Sequence, residues 1–169
     1  MSKNEKKSGK GKLPASGNIG LNAQDCKALS GSLNTLLANY QMFYQNTRGF
    51  HWNIKGENFF ELHLKFEELY SDLQVKIDEI AERILTLGHT PVHSFEEFQA
   101  LSKIKSIRNC HNGKVAIAHI LDAFGIILAK QRELLVQSGE AHDEGTNALM
   151  SDYISAQEKL VWMYSAYLG

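Results

Sequence analysis

The chain is poor in cysteine and contains no long apolar run. Its two cysteines, Cys26 and Cys110, form no C-x-x-C pair and cannot make a disulfide framework in a chain of 169 residues. No apolar stretch approaches the roughly 20 residues of a membrane-spanning helix. No apolar segment follows the first lysines, as it would in a secretory signal. We therefore expect one main domain in a reducing cytoplasm, with no membrane contact.

Proline is also scarce, with only Pro14 and Pro91. The stretches 21–90 and 92–169 are free of it, and their apolar residues recur with the period of a helix instead of the alternation of a strand. This pattern excludes a sheet protein and predicts four long helices, here called A to D.

Local signals mark the ends of these helices. Helix A begins near Asn22, and helix B follows Gly56 and ends where Gly88 stops it, at about residue 87. A capping box at Ser94 and Glu97 predicts a short helix over about 95–101 in the connection between helices B and C. Four long helices with one longer connection predict an all-α, ferritin-like four-helix bundle over residues 21–169.

The net charge of −1 hides a basic arm on an acidic body. Residues 1–20 carry five lysines against one glutamate, a net charge of +4, which leaves −5 for residues 21–169. The five are Lys3, Lys6, Lys7, Lys10 and Lys12. The arm is rich in glycine, serine and asparagine and has little apolar surface to bury, so we expect it to be disordered.

Helix B carries potential metal ligands on a face of its own. They are His63, Glu67, Asp78 and Glu82. This face points about 130° away from the apolar stripe of the helix, and so away from the core of its own subunit. The first two ligands are four residues apart, as are the last two, so each pair can face one ion. About 16 Å of helix separates the pairs, which therefore cannot share an ion within one helix.

The four positions are symmetric about one point of the helix. Positions 63 and 82 lie equally far from the midpoint between residues 72 and 73, and so do positions 67 and 78. If two copies of helix B cross antiparallel about a two-fold axis there, His63 faces Glu82 of the partner subunit and Glu67 faces Asp78 of the partner subunit. Exposed acidic residues usually form only a solvated face, which is the alternative interpretation.

His51 lies at the predicted end of helix A, twelve residues before His63. It joins His63 if the intervening turn folds the end of helix A over the start of helix B. A set of imidazoles and carboxylates suits Fe(II), although Zn, Co or Mn also bind such ligands. The other histidines lie in connections or singly on a helix, where surface or core roles fit better: His89, His93, His111, His119 and His142.

Two segments resemble the signatures of the Dps family, the DNA-binding proteins from starved cells. Residues 51–63 match H-W-N-x-x-G-x-x-F-x-x-x-H, and residues 78–83 match D-E-x-A-E-R, in the family's order and spacing. The resemblance covers about residues 22–169, including the D-E-G-T sequence at 143–146. It implies a dodecameric shell of four-helix subunits with a hollow centre.

The resemblance also implies the chemistry of the protein. Ferroxidase sites at the two-fold interfaces would use His51, His63 and the residue at 67 of one subunit. Asp78 and Glu82 would come from its neighbour. The expected substrate is Fe(II), oxidised with hydrogen peroxide and stored as Fe(III) mineral. Position 67 is often aspartate in the family, whereas this chain has Glu67. Trp52 is either a redox-active neighbour of the metals or an interface residue.

Iron entry and DNA binding are further expectations. The resemblance implies acidic pores on three-fold axes near the start of helix D, where Asp143, Glu144 and Asp152 are candidates. An acidic first turn also simply complements a helix dipole. The lysines of the arm suit sequence-independent, salt-dependent binding to DNA phosphates, although a merely solubilising tail has the same composition.

Two rival functions remain. One is a di-iron enzyme acting on an organic substrate, which would carry Glu-x-x-His pairs, and the chain contains none. The other is a nucleoid-packing, DNA-binding protein whose metal site is vestigial or structural, for instance filled with zinc.

Overall fold

The computed structural model describes residues 19–169, which form five α-helices and no strand. The helices are α1 (Ala23–Asn53), α2 (Phe59–Thr86), α3 (Phe95–Leu101), α4 (Gly113–Glu140) and α5 (Glu144–Leu168). The predicted all-α fold is confirmed, with α1, α2, α4 and α5 as helices A to D and α3 as the short connecting helix. Most of the predicted basic arm, residues 1–18, lies outside the described residues. From residue 19 onwards, no helix is both long and apolar enough to cross a membrane.

Polar side chains begin most of these helices. The Asn22 side chain accepts hydrogen bonds from the backbone N–H groups of Gln24 and Asp25, at 2.8 and 3.3 Å. Ser94 and Glu97 form the predicted capping box at the start of α3. These bonds satisfy N–H groups that have no partner within the helix. At the other end of α2, Gly88 adopts a φ of +83°, which a residue with a side chain rarely adopts.

The helix α1 lies at the centre of the packing. It runs along α2 and α4 and also contacts α3, while α5 packs mainly on α4. Fully buried aromatic side chains join these helices, for example Phe43 of α1 against Phe124 of α4, with ring centroids 5.1 Å apart. α2 and α5 pack far less closely, and a groove of about 430 Å³ lies between them.

This groove leaves apolar residues of α5 partly exposed. Leu160, Tyr164 and Tyr167 are only partly buried, because they line the groove instead of a closed core. The fully covered residues of α5 include the polar side chains Thr146 and Gln157. Apolar periodicity alone could not indicate polar residues at buried positions.

Asparagines of α1 hold the long connection between α2 and α4. The side chain of Asn46 donates to the carbonyl of Lys105 (2.8 Å) and accepts from the N–H of Ile107 (2.9 Å). Asn34 accepts from the N–H of Val92 (2.8 Å). These amides replace the backbone partners that an irregular segment lacks, so the connection lies fixed along α1.

Candidate metal centre

His51 and His63 meet where the end of α1 lies over the start of α2. Nδ1 of His51 is 2.7 Å from the carbonyl oxygen of His63, and Nδ1 of His63 is 2.9 Å from the carbonyl oxygen of His51. The rings are stacked, with centroids 3.8 Å apart and planes 20° from parallel. The turn between the helices therefore brings the two histidines together.

These reciprocal contacts determine which nitrogen of each ring is available. A carbonyl oxygen only accepts hydrogen bonds, so each Nδ1 must carry the proton and donate it. In the neutral ring, Nε2 then keeps its lone pair, which is the state of a histidine that binds a metal. Backbone groups of the same subunit thus hold both rings and leave Nε2 of each ring without a partner in these two contacts.

Aromatic side chains surround the pair. The ring of Phe59 stacks on His63 with centroids 5.1 Å apart, and the ring of Tyr70 meets His51 edge-on at 5.3 Å. The guanidinium of Arg48 lies 5.9 Å from the centroid of Tyr70 and 4.7 Å from that of Trp52. These rings cover part of the surface of the imidazoles, while Trp52 itself is 58% exposed.

The carboxylates lie elsewhere on the subunit. Glu67, Asp78 and Glu82 are all exposed on the outward side of α2. His63 is half-buried and His51 only 8% exposed. Among the described residues, no group of three or more histidine, cysteine, aspartate or glutamate side chains is arranged to hold a metal ion. One subunit thus presents an imidazole pair and, farther along α2, a carboxylate pair, but does not bring them together.

The middle of the bundle has a different chemistry. Tyr40 of α1 accepts hydrogen bonds from the side chains of Gln131 and Gln157, at 2.8 and 2.5 Å, and all three are fully buried. From α2, the buried ammonium of Lys76 pairs with Asp72 and lies 5.2 Å from the ring centroid of Tyr153. The fully buried groups are uncharged, and the Asp72 carboxylate is already compensated by Lys76, so this cluster cannot compensate the charge of two metal ions. The part of the chain described here therefore offers no intrasubunit di-iron centre of the Glu-x-x-His kind.

One candidate pore residue is engaged inside the subunit. Asp143 is 2% exposed, caps α5 by accepting from the N–H of Thr146 (3.0 Å), and forms an ion pair with Arg83 at 2.5 Å. Burial favours its protonated form, but the hydrogen bonds from Arg83 and Thr146 outweigh this and hold the pKa of Asp143 below its ordinary value. Glu144 and Asp152 are exposed and remain available for a pore.

Comparison with known proteins identifies the family. A family model described as a ferritin-like domain matches residues 31–169. The DNA protection during starvation protein of Porphyromonas gingivalis is 45% identical over 148 residues, which are 88% of this chain and 93% of that protein. The chain belongs to the Dps family of ferritin-like proteins. The predicted resemblance is therefore confirmed.

Solved structures agree with this assignment. A Dps protein from Vibrio cholerae O1, described as a member of the ferritin-like diiron-carboxylate proteins, is 53% identical. It superposes with a TM-score of 0.91 over 94% of this chain and 99% of that one. Dps from Staphylococcus aureus is 31% identical, with a TM-score of 0.82 over 85% of this chain and 96% of that one. The bundle described above is thus the Dps form of the ferritin-like fold.

The Arg83–Asp143 pair predicts how stability depends on pH. A carboxyl whose pKa is lower in the folded protein contributes stability above its unfolded-state pKa, and this contribution is lost as the pH falls through the folded-state pKa. Thermal unfolding followed by circular dichroism from pH 7 to pH 3 should show Asp143→Asn melting below wild type at pH 7. The difference in melting temperature between Asp143→Asn and wild type should narrow below about pH 4.

Asp122→Asn changes an exposed aspartate of α4 and is the matched control. It should follow the wild-type curve throughout. A constant difference between Asp143→Asn and wild type at all pH values would contradict the assignment.

Proposed function

We propose that this chain is the subunit of an iron-oxidising and iron-storing Dps shell, with ferroxidase sites formed across two-fold interfaces. The observation that carries the proposal is the division of the ligands. His51 and His63 are held together with both Nε2 atoms available, whereas Asp78 and Glu82 are exposed on the same helix as His63 but farther along it. About 28 Å of helix separates His63 from Glu82, so a second subunit must complete each site.

The exposed apolar residues of α2 support the same two-fold axis. Phe60, 85% exposed, and Leu85, 58% exposed, lie equally far from the midpoint between residues 72 and 73. An antiparallel crossing that joins His63 to Glu82 of the partner subunit also covers Phe60 with Leu85 of the partner subunit. Leu64 and Val75, both more than half exposed, lie on this face as well. Apolar side chains that are exposed in one subunit and self-complementary about an axis are typical of a symmetric interface.

The ligand set suits iron. Two neutral imidazoles bind Fe(II) without adding charge, and the carboxylates of Asp78 and Glu82 compensate the dication. Carboxylates stabilise Fe(III) more than Fe(II) and thereby favour oxidation. Glu67, opposite Asp78 of the partner subunit in this arrangement, is the proposed fifth ligand.

Two iron ions at one site can supply the two electrons that reduce one hydrogen peroxide molecule. Two Fe(II) ions give two electrons to one hydrogen peroxide molecule, which takes up two protons and leaves as two water molecules. No hydroxyl radical is released, because the O–O bond is cleaved by two electrons together. The Fe(III) then moves to the interior of the shell as mineral, and DNA is protected from the radicals that free iron would generate.

The complete particle is proposed to be a cytoplasmic dodecamer. Iron would enter through three-fold pores lined by Glu144 and Asp152, which lie on one face of α5 eight residues apart. Three copies of such carboxylates concentrate cations by electrostatic focusing. Asp143, bonded to Arg83 inside the subunit, is not included in this pore.

Mixing the purified protein with Fe(II) and hydrogen peroxide tests the proposal. Ferric absorbance should rise faster than in buffer, and particle mass should correspond to twelve subunits. Loss of an outer-sphere partner of a metal costs roughly 10–100-fold. Loss of the ligand itself in Asp78→Asn should therefore slow oxidation at least about tenfold.

Asp122→Asn, an exposed aspartate of α4, is the matched control and should oxidise iron as wild type does. A wild-type protein that stays monomeric or dimeric and oxidises Fe(II) no faster than buffer would contradict the proposal. A shell that assembles but lacks oxidation would favour the alternative, a nucleoid-packing protein with a structural or vestigial metal site.

DNA binding is the second proposed activity, and the five lysines among the first twelve residues favour it. Several copies of the arm on one particle would add their phosphate contacts by avidity. No base-reading element accompanies these lysines, so binding would be independent of sequence and weakened by salt.

Deleting residues 1–12 separates the two activities. The deletion should abolish the DNA mobility shift at low salt, because it removes all five lysines, and should leave iron oxidation unchanged. A variant in which the same five lysines are replaced by glutamine keeps the length of the arm and should behave in the same way. An unchanged mobility shift after the deletion would refute the role of the arm.

A further inference from the structure

Arg83, the residue after Glu82, connects the end of α2 to the start of α5. Its Nη2 donates to Oδ1 of Asp143 at 2.5 Å, and its Nε donates to Oγ1 of Thr146 at 2.9 Å. The Thr146 hydroxyl in turn donates to the other carboxylate oxygen of Asp143 at 2.6 Å. Asp143 and Thr146 are almost fully buried, so this is a closed network and not a surface ion pair.

Gly145 leaves the space that the guanidinium occupies. A Cβ atom at this position would lie 2.9 to 3.1 Å from Nη1, Cζ and Nη2 of Arg83. The sequence from Asp143 to Thr146 thus provides three things to the Arg83 guanidinium. Asp143 supplies a carboxylate, Thr146 supplies a hydroxyl, and Gly145 leaves space because it has no side chain. The fork geometry of arginine suits such a receptor, and lysine has no equivalent.

Arg83 lies on the same part of α2 as the carboxylates Asp78 and Glu82, so its contact with α5 affects where they point. The groove separates the first half of α2, residues 61–72, from α5. Along the second half, the Tyr153 hydroxyl of α5 donates to Glu79, and Arg83 donates to Asp143 and Thr146. Of these contacts, the one made by Arg83 lies nearest to Glu82 and to the end of α2. Arg83 lies about 100° around the helix from Glu82. A rotation of the helix by about 10° would move a carboxylate at its outer radius by about 1 Å, more than a designed or natural metal site tolerates.

We propose that Arg83, seated between Asp143, Gly145 and Thr146, is a positioning residue for the metal-binding carboxylates Asp78 and Glu82. It fixes the rotation of the last turns of α2 and so the place where these carboxylates meet the partner subunit's His63. Because Asp143 compensates its charge inside the subunit, Arg83 adds little repulsion to an approaching dication. This inference rests on the proposed intersubunit site.

Gly145→Ala tests it without removing any polar group. The new methyl group displaces the guanidinium by a few tenths of an ångström, while alanine favours the helix more than glycine does. Co(II) titration of the assembled full-length protein, followed by its visible absorption, should show an affinity about tenfold below wild type. The melting temperature should change by only a few degrees. Gly125→Ala in α4, where a Cβ meets nothing within 4 Å, is the matched control and should bind Co(II) as wild type does.

Arg83→Lys provides a second test, since it keeps the charge but loses the fork. Its control is Arg132→Lys, which alters the ion pair of Arg132 with Glu158 between α4 and α5. Lower Co(II) affinity in Arg83→Lys but not in Arg132→Lys supports the positioning role.

The Co(II) titrations and melting temperatures distinguish three outcomes. If wild type itself binds no Co(II), the proposed intersubunit metal site is refuted, and with it the positioning role that depends on this site. If wild type binds and both Gly145→Ala and Arg83→Lys bind equally well, the positioning role is refuted. If affinity falls in all four variants in proportion to melting temperature, the effect is one of general stability, and the positioning role is again refuted.

Discussion

The rigidity of α2 constrains the rest of the molecule. A straight helix keeps its residues at fixed separations, so the imidazole of His63 and the carboxylate of Glu82 stay about 28 Å apart in one subunit. The reciprocal hydrogen bonds between His51 and His63 fix the imidazole end, and the contact of Arg83 with Asp143 fixes the carboxylate end. Each subunit can therefore be stable and fully folded while containing only two halves of different proposed sites.

The two sides of α2 carry residues of different kinds and have different roles. The inner side carries the apolar residues of the core, and the bundle centre beside it is filled by the uncharged side chains of Tyr40, Gln131 and Gln157. The outer side carries the acidic residues together with exposed Phe60, Leu64, Val75 and Leu85. Apolar contacts would then hold two subunits together at the place where the ligands of the proposed sites meet, which couples assembly to metal binding.

The sequence predicted those features that depend on local spacing. The helix starts at Asn22 and Ser94, the end of α2 near Gly88 and the outward direction of Glu67, Asp78 and Glu82 all follow from capping preferences and the period of a helix. The sequence did not predict three other features. These are the contact of Arg83 with Asp143 and Thr146, the burial of Asp143, and the hydrogen bonds by which asparagines of α1 hold the connection between α2 and α4. They depend on contacts between residues about 60 positions apart, which appear only when the helices pack.

Complementation between two inactive variants tests the intersubunit site most directly. His63→Ala damages the imidazole half and Glu82→Ala the carboxylate half, so each shell alone should oxidise iron slowly with hydrogen peroxide. In a dimer of one subunit of each kind, one site receives both defects and the other receives none. Shells co-assembled at random from equal amounts should therefore recover about a quarter of the wild-type rate. A mixed shell no faster than either variant alone would contradict the account, because a site formed within one chain gains nothing from a differently damaged neighbour.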